Sequence, residues 1–538
     1  MLKKLSILAL FFAVTLQAQT ASSMKKIYIF YTNDIGGRIG EQKARFLNPN
    51  FPPVLGGGAS AATVINKIRR QANANGDIVL LVDAGDFLSN TSDLVRNSRG
   101  KAMIDYMNFM GYTAITLGVN DFDVLGKDAL RLHSFARFPF LVANLRMDDS
   151  LNLSSAVKPY FIIEQNGLKI GIFGVTSQSA EFIDHPEKIK GLHFTAERDA
   201  AQRAVDTLRA KGCDLIIALS NLGLPYNAQE YYPVIEAQDK QHIVKKSFMN
   251  TMDLAHYVKG IDFIFSGRIR RGYNIPWEDP VTHTLCFQNY PSGGNLGVVV
   301  AKFDTKHKAL LGYDFLAKNG SLLLLTEDEF WPDKSTSAFI DSLQKTYHAD
   351  PSEILGYTLT TLWRGSQGES PLGDLMTNAM LEATKADFAF NNYNSMRQNF
   401  SIGPITKQDV FDAFPFANEL VVVKVKGKML KDLIERSIVG SYMGVAIAGG
   451  KVVYDPKRPD GHRIVKFLIG GKPLQSERLY RVALSAYLAQ GNSGMTPLSF
   501  LPDSAFTYTG TLVREAIINY IKKHSPLNIR VDGRWKRK

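Results

Sequence analysis

The sequence predicts two α/β domains joined by a helical linker. Three observations lead there. The chain has 538 residues with 45% apolar content, enough for more than one core. Strand-like and helix-like runs alternate from residue 24 to about 325. The pattern then breaks into an acidic, polar stretch and resumes as a second alternating unit.

Residues 1–18 read as a secretory signal. Lys3 and Lys4 form the charged start, Leu5 to Leu16 the apolar run, and Leu16-Gln17-Ala18 suits a signal peptidase. The run is too short to span a bilayer, and no later segment is long and apolar enough to do so. Export is expected, to a periplasm or to the outside.

In the first domain, 24–325, short β-branched or aromatic runs recur at Ile27–Tyr31, Ile78–Val82, Ala114–Leu117, Tyr160–Glu164, Ile170–Gly174, Leu215–Leu219 and Ile261–Phe265. Helical spacing falls between several of them, at Ser60–Gln71, Lys101–Met110 and Ala196–Lys211. Polar turn residues follow five of the strands: Asn33-Asp34, Asp83 to Asp86, Gly118 to Asp121, Ser220-Asn221 and Ser266-Gly267. Loops after parallel strands converge on one sheet edge, where sites are built. The linker is placed at 326–353, with a helix over Thr336–His348. The second domain, 354–525, shows a helix at Leu372–Ala383, a strand at Asp387–Asn391, a helix near Lys407–Ala413 and a strand at Leu420–Val425. Residues 526–538 read as a solvated basic tail.

The formal charge is +12, from 63 basic and 51 acidic residues. It drops to +10 without the signal, since only Lys3 and Lys4 leave. The surplus reads as spread along the chain, with one dense run, Arg534 to Lys538. Such a balance favours anionic ligands or surfaces. Trp535 is the only aromatic in that run, too little for a base-stacking platform, so nucleic acid is not an expected partner. Cys213 and Cys286 lie beside or within apolar runs; whether they pair is open.

Five strand-end motifs resemble those of the metal-dependent 5'-nucleotidase family, which includes periplasmic UDP-sugar hydrolases and cyclic-nucleotide phosphodiesterases. The first is Thr32-Asn33-Asp34-Ile35-Gly36-Gly37, with Gly36 where the family has His. The second is Asp83-Ala84-Gly85-Asp86, whose Asp86 matches the carboxylate bridging two metals. The third is Gly118-Val119-Asn120-Asp121-Phe122-Asp123, with Val119 in place of an amide ligand and Asn120 in place of the catalytic His. Asp123 matches the residue that orients that His. The fourth is Leu219-Ser220-Asn221-Leu222-Gly223, with Asn221 for another His. The fifth is Gly267-Arg268-Ile269-Arg270, where the family carries imidazoles.

The resemblance implies a four-layer metallophosphoesterase-type α/β sandwich followed by a 5'-nucleotidase C-terminal domain. It also implies two divalent metals that activate water. Of seven implied ligand positions, two keep a carboxylate, Asp34 and Asp86, and Asn221 offers a weak amide oxygen. Arginine cannot ligate a cation. No catalytic residue and no cofactor are therefore expected; an active version would take Mn, Zn, Mg or Ca. Arg268 and Arg270 read either as braces for the remnant carboxylates or as anion-binding groups.

The second domain resembles the family's nucleotide-binding unit. Asn392 and Arg397 flank a segment whose three family glycines are replaced, and Phe416 and Tyr487 match the two rings that sandwich the base. Ser493 stands where the family has a ribose-binding Asp. The expected ligand is a nucleotide or other planar anion; a cell-envelope protein is the other expected partner. The leading expectation is a catalytically impaired, exported 5'-nucleotidase-like protein. The alternative is an active nucleotide or UDP-sugar phosphoesterase with a remodelled metal site.

Overall fold

A computed structural model describes residues 24–44, 46–48, 51–151, 155–182, 186–269, 271–365, 368–416, 418–439 and 444–538. The expected signal segment, 1–18, and Arg270 lie outside the described residues. The chain divides into two compact units. Unit 1 comprises Met1–Ala44, Pro52–Ser89 and Leu94–Leu343; unit 2 comprises Arg45–Phe51, Asn90–Asp93 and Gln344–Lys538. The division falls inside the linker helix, which spans Lys334–Thr346.

Unit 1 opens with β1 (Met24–Thr32), β2 (Ile78–Asp83), β3 (Ala114–Thr116) and β4 (Phe140–Leu141), paired in parallel. A second sheet follows: β5 (Tyr160–Gln165), β6 (Leu168–Thr176), β7 (Leu215–Asn221), β8 (Phe263–Ser266), β9 (Trp277–Glu278) and β10 (Leu285–Gln288). Its order is β9-β10-β8-β7-β6-β5. The chain then returns to the first sheet with β11 (Asn295–Asp304), β12 (Ala309–Asp314) and β13 (Leu322–Leu324). β11 lies antiparallel to β1, with Met24 opposite Asp304 and Tyr31 opposite Gly297.

The inner faces of the two sheets share one core. Ile27, Ile29, Tyr31 and Leu80 of the first pack with Ile172, Ile217, Phe263 and Phe287 of the second. Burying this much apolar surface is the main drive for folding, at ~25 cal/mol per Å². Helices cover both outer faces. On the first sheet these include α1 (Gly57–Asn75). On the second they include α4 (Glu197–Ala210), which follows α2 (Lys101–Met110) and α3 (Val119–Leu125) in the chain. The result is the expected four-layer sandwich. Cys213 and Cys286 are both buried and both free thiols, in one apolar cluster with Val205, Leu208 and Ile264.

Unit 2 holds α5 (Pro371–Thr384), started by Ser370, whose side chain accepts the Gly373 N–H, with proline at the first turn. Next come β14 (Phe388–Asn391) and α6 (Lys407–Ala413), capped reciprocally by Thr406 and Asp409. Five strands form its main sheet: β14, β15 (Glu419–Lys426), β16 (Ala446–Ala448), and, later in the chain, Leu479–Ser485 and Phe506–Leu512. A smaller sheet contains β17 (Gly450–Tyr454), β18 (Ile464–Ile469) and β19 (Lys472–Pro473). The two later main-sheet strands are β20 (Leu479–Ser485) and β21 (Phe506–Leu512).

The C-terminal segment corrects the expectation of a solvated tail. Residues Trp535–Arg537 form β22, paired in parallel with β17, and Trp535 is 5% exposed against Tyr454. Among residues 534–538 only Trp535 is apolar, and its partner strand lies some eighty residues away, beyond any local periodicity. The charge reading also changes. Residues 344–538 hold 26 Lys and Arg against 17 Asp and Glu, so nine of the twelve surplus charges belong to this part.

Candidate functional site

The parallel strands of both sheets in unit 1 end on one edge. β1 and β2 run in register to Thr32 and Asp83, β7 and β8 to Ser220 and Ser266. Asp34, Asp86, Asn221 and Arg268 therefore leave neighbouring strand ends. The turns are tight: Gly85 has φ +88°, and Asp34, Asp86 and Arg268 lie in the left-handed region at +51°, +60° and +87°. Such conformations cost ~1–3 kcal/mol each in non-glycine residues and cluster at sites. Gly118 is a steric requirement, since a Cβ there would sit 2.1 Å from Asp86 Oδ1 and 2.6 Å from Asn221 Nδ2.

Asp34 accepts at Oδ2 from Asn33 Nδ2 (2.8 Å) and from the Arg268 backbone N–H (2.8 Å). Asp86 Oδ1 accepts from the Asn120 backbone N–H (2.8 Å), while Asp86 Oδ2 is buried with no donor. Burial, and then the Asp86 charge, hold the Asp34 carboxyl well above the usual range. Burial also raises Asp86; the Asn120 N–H, the Asn221 amide and the Arg268 charge pull it back. Asp83 is pushed up to about 8, by burial first, against hydrogen bonds from Thr32 and Gly85.

Asn221 bridges the sheets. Its Oδ1 accepts from the Val119 N–H (3.0 Å), and its Nδ2 donates to Ala84 O (3.2 Å). These two bonds fix the amide orientation and occupy its oxygen. The Arg268 guanidinium donates to Ser177 Oγ (2.8 Å), which also meets Ser179 Oγ at 3.0 Å. The expected brace to Asp34 thus runs through the Arg268 backbone, and its charge reaches Asp86 at longer range. Asn120 is exposed, and Asp123 is half-buried on the same helix.

This donor set does not fit a two-metal centre. Among the described residues no three His, Cys, Asp or Glu side chains gather as a metal-holding group. The two remaining carboxylates cannot balance four positive charges, and the Arg268 charge acts on Asp86 with the same sign as a cation.

Sequence reasoning missed Asp121 and Ser177. Asp121 is fully buried and accepts from the backbone N–H groups of Gly118 (2.8 Å), Asp86 (3.0 Å) and Leu88 (2.9 Å). It ties two site loops together from the first turn of α3. Its signal was present: an acid three residues after the glycine that precedes a helix. Ser177 follows β6 and had no motif to mark it.

In unit 2 the register also gathers the expected residues. β14 pairs in parallel with β20, and β15 antiparallel with β20, with Leu420 opposite Ser485. Ser485 Oγ donates to Asn391 Oδ1 at 2.9 Å. Asn392, Phe416 and Tyr487 thus leave one sheet edge. Phe416 is 43% and Tyr487 40% exposed, so neither ring is a core residue. The Arg397 guanidinium lies over the Phe416 ring at 5.2 Å, and Asn392 Nδ2 donates to Ser493 Oγ at 3.4 Å.

Residues 347–499 match the family model of the 5'-nucleotidase C-terminal domain. The chain is 26% identical to the snake venom 5'-nucleotidase of Gloydius brevicauda, over 96% of this chain and 89% of that one. It is 25% identical to endonuclease YhcR of Bacillus subtilis, over 98% of this chain but 43% of the relative, so it spans less than half of that protein. The solved 5'-nucleotidase precursor of Thermus thermophilus has the same fold, with a TM-score of 0.68, 24% identity, and 95% and 99% of the two chains covered. With a C-terminal part that matches the 5'-nucleotidase C-terminal domain, relatives aligned along nearly the whole chain and strand-end motifs in the family's order, the chain is similar to 5'-nucleotidases along nearly its entire length.

Proposed function

We propose that this protein is an exported, catalytically impaired 5'-nucleotidase homologue that binds a nucleotide-like or other planar anionic ligand through unit 2. One observation carries the reading. The edge that would hold two dications instead presents Asp34 and Asp86, an Asn221 amide already committed to the backbone, and the Arg268 charge. Hydrolysis by this family's chemistry needs cations there, whereas binding needs only the second unit. Phe416 and Tyr487 offer two half-exposed ring faces, with Arg397 and Asn392 beside them. A cell-envelope protein is the alternative partner, and export rests on residues 1–18.

The test is elemental analysis of protein purified without chelators, with nucleotide hydrolysis and nucleotide-induced thermal shifts measured on the same sample. Less than about one equivalent of Mn, Zn or Fe is expected, with no chelator-sensitive hydrolysis and a raised melting midpoint with nucleoside or nucleotide. Two metal equivalents with chelator-sensitive hydrolysis overturn the reading.

A second reading, an active phosphoesterase with a remodelled metal site, has one observation in its favour. Asp86 Oδ2 is buried without a donor, the state of an oxygen that a cation would satisfy. Relatives bearing the name 5'-nucleotidase, among them that of Vibrio parahaemolyticus at 24% identity, point the same way.

A further inference from the structure

We infer that the outer face of the small sheet in unit 2 is a docking surface for an anionic lipid bilayer. The inference does not depend on the proposed function. Strand register builds this face. Val452, Tyr454, Phe467 and Trp535 point into the core, at 0%, 4%, 7% and 5% exposure. Alternation along the strands sends their neighbours outward. Val453 of β17 lies opposite Lys536 of β22 on one side and Lys466 of β18 on the other. Lys451 lies opposite Leu468 on the same face.

Three ammonium groups thus surround Val453. Adjacent strands lie ~4.8 Å apart, so Lys536 and Lys466 stand about 10 Å from each other, near one Debye length at physiological salt. Some basic side chains of this unit have acids: Lys426 and Lys428 share Glu477, Lys522 meets Glu353 and Arg436 meets Asp432. Lys451, Lys466 and Lys536 make no ion pair among the described residues. Asp532 lines a recess with Lys451, but its carboxylate is held by Arg534 at 2.7 Å. Like charges at this spacing repel, and folding keeps them together because the inner face is well packed. An external negative surface removes that repulsion.

The chemistry of the face selects the occupant. No aromatic ring points outward from it, since Tyr454, Phe467 and Trp535 all face the core, so nucleobases have nothing to stack on. The lysines are interleaved with the half-buried aliphatics Val453 and Leu468. Flat, lysine-rich and partly aliphatic is the composition that settles on acidic headgroups. The surplus of nine positive charges in residues 344–538 gives this unit a long-range attraction of the same sign.

The experiment is co-sedimentation of the full chain with phosphatidylcholine vesicles, with and without one-third phosphatidylglycerol. The unmodified protein is expected to partition onto the phosphatidylglycerol vesicles alone and to leave them at high salt. The triple variant Lys451→Gln, Lys466→Gln, Lys536→Gln should lose partitioning by about 100-fold, from the usual worth of each lysine at an acidic surface. A control with the same charge loss, Lys426→Gln, Lys428→Gln, Lys522→Gln, should keep most of it. Equal loss in both triples overturns the inference, because net charge then suffices. So does equal binding to neutral vesicles. Salt-sensitive binding to duplex DNA or to an acidic protein, without binding to vesicles, assigns the face to that partner and overturns the lipid reading. Melting curves confirm that the variants fold, and the vesicle and salt comparisons on the unmodified chain stand without them.

Discussion

Replacing Asp374 by Asn should flatten the pH dependence of unit 2. Asp374 sits in the first turn of α5 at 2% exposure, and its Oδ2 has no hydrogen-bond partner. Arg534 approaches Oδ1 only to 3.5 Å. Burial, opposed by the Arg534 charge and reinforced by Glu369 and Asp532, pushes its carboxyl from 3.8 to about 8. The folded protein therefore keeps this proton over a window in which the unfolded chain has lost it. Stability is full below the unfolded value and falls as pH rises through about 8. Each unit of that window costs up to ~1.4 kcal/mol, so the step from about pH 5 to about pH 8 has a ceiling of ~4 kcal/mol. Local relaxation around the charged carboxylate reduces this to ~2 kcal/mol. The asparagine variant lacks the titration. Its advantage over the unmodified protein should be small near pH 5 and grow to ~2 kcal/mol near pH 8. Urea unfolding of the full chain followed by tryptophan fluorescence is the assay, because Trp535 is buried in the strand next to Arg534. A variant destabilised by the same amount at every pH would refute the reasoning, and so would an unchanged slope.

The other expectations concern the remnant site and the ring pair. Arg268→Ala removes the Ser177 hydrogen bond and the charge that offsets Asp86; unit 1 should lose ~1–3 kcal/mol, read as a lower melting midpoint, with partial recovery in Arg268→Lys. Gly118→Ala drives a methyl into Asp86 Oδ1 and Asn221 Nδ2, so a loss of at least ~2 kcal/mol in chemical denaturation is expected. Tyr487→Ala and Phe416→Ala remove half-exposed rings; stability should stay within ~0.5 kcal/mol. Any nucleoside-induced thermal shift should shrink by the ~1–3 kcal/mol typical of one stacked base.

Much of the fold was legible because it is local. The helices Lys101–Met110 and Lys407–Ala413 match their apolar spacing end to end, and the strands before Asn33, Ala84 and Asn221 follow from β-branched runs closed by polar turns. The site was legible as a list of lost ligands. What replaced them was not. The link from Arg268 to Asp34 is a backbone amide, and no residue identity encodes a backbone contact. Asp121 joins three N–H groups on two loops, a role that depends on where β2 and β3 end relative to each other. Phe416 borders an apolar strand, so its exposure could not be read from its neighbours. The small sheet was missed because its strands are short and its last one, β22, pairs with β17 some eighty residues away.

The place of β11 next to β1 has a consequence for the order of events during synthesis. β1 offers one edge to β2, about fifty residues later, and its other edge to β11, some 270 residues later. Until residues 295–304 emerge, a strand reading Ile-Tyr-Ile-Phe-Tyr has an unpaired edge and an uncovered apolar face. Such an edge invites pairing with other chains, and closing so long a loop makes the step slow. The first domain therefore cannot finish folding until more than half of the polypeptide has appeared. A chaperone that shields residues 27–31 in that interval would raise the yield of native protein more than any later assistance.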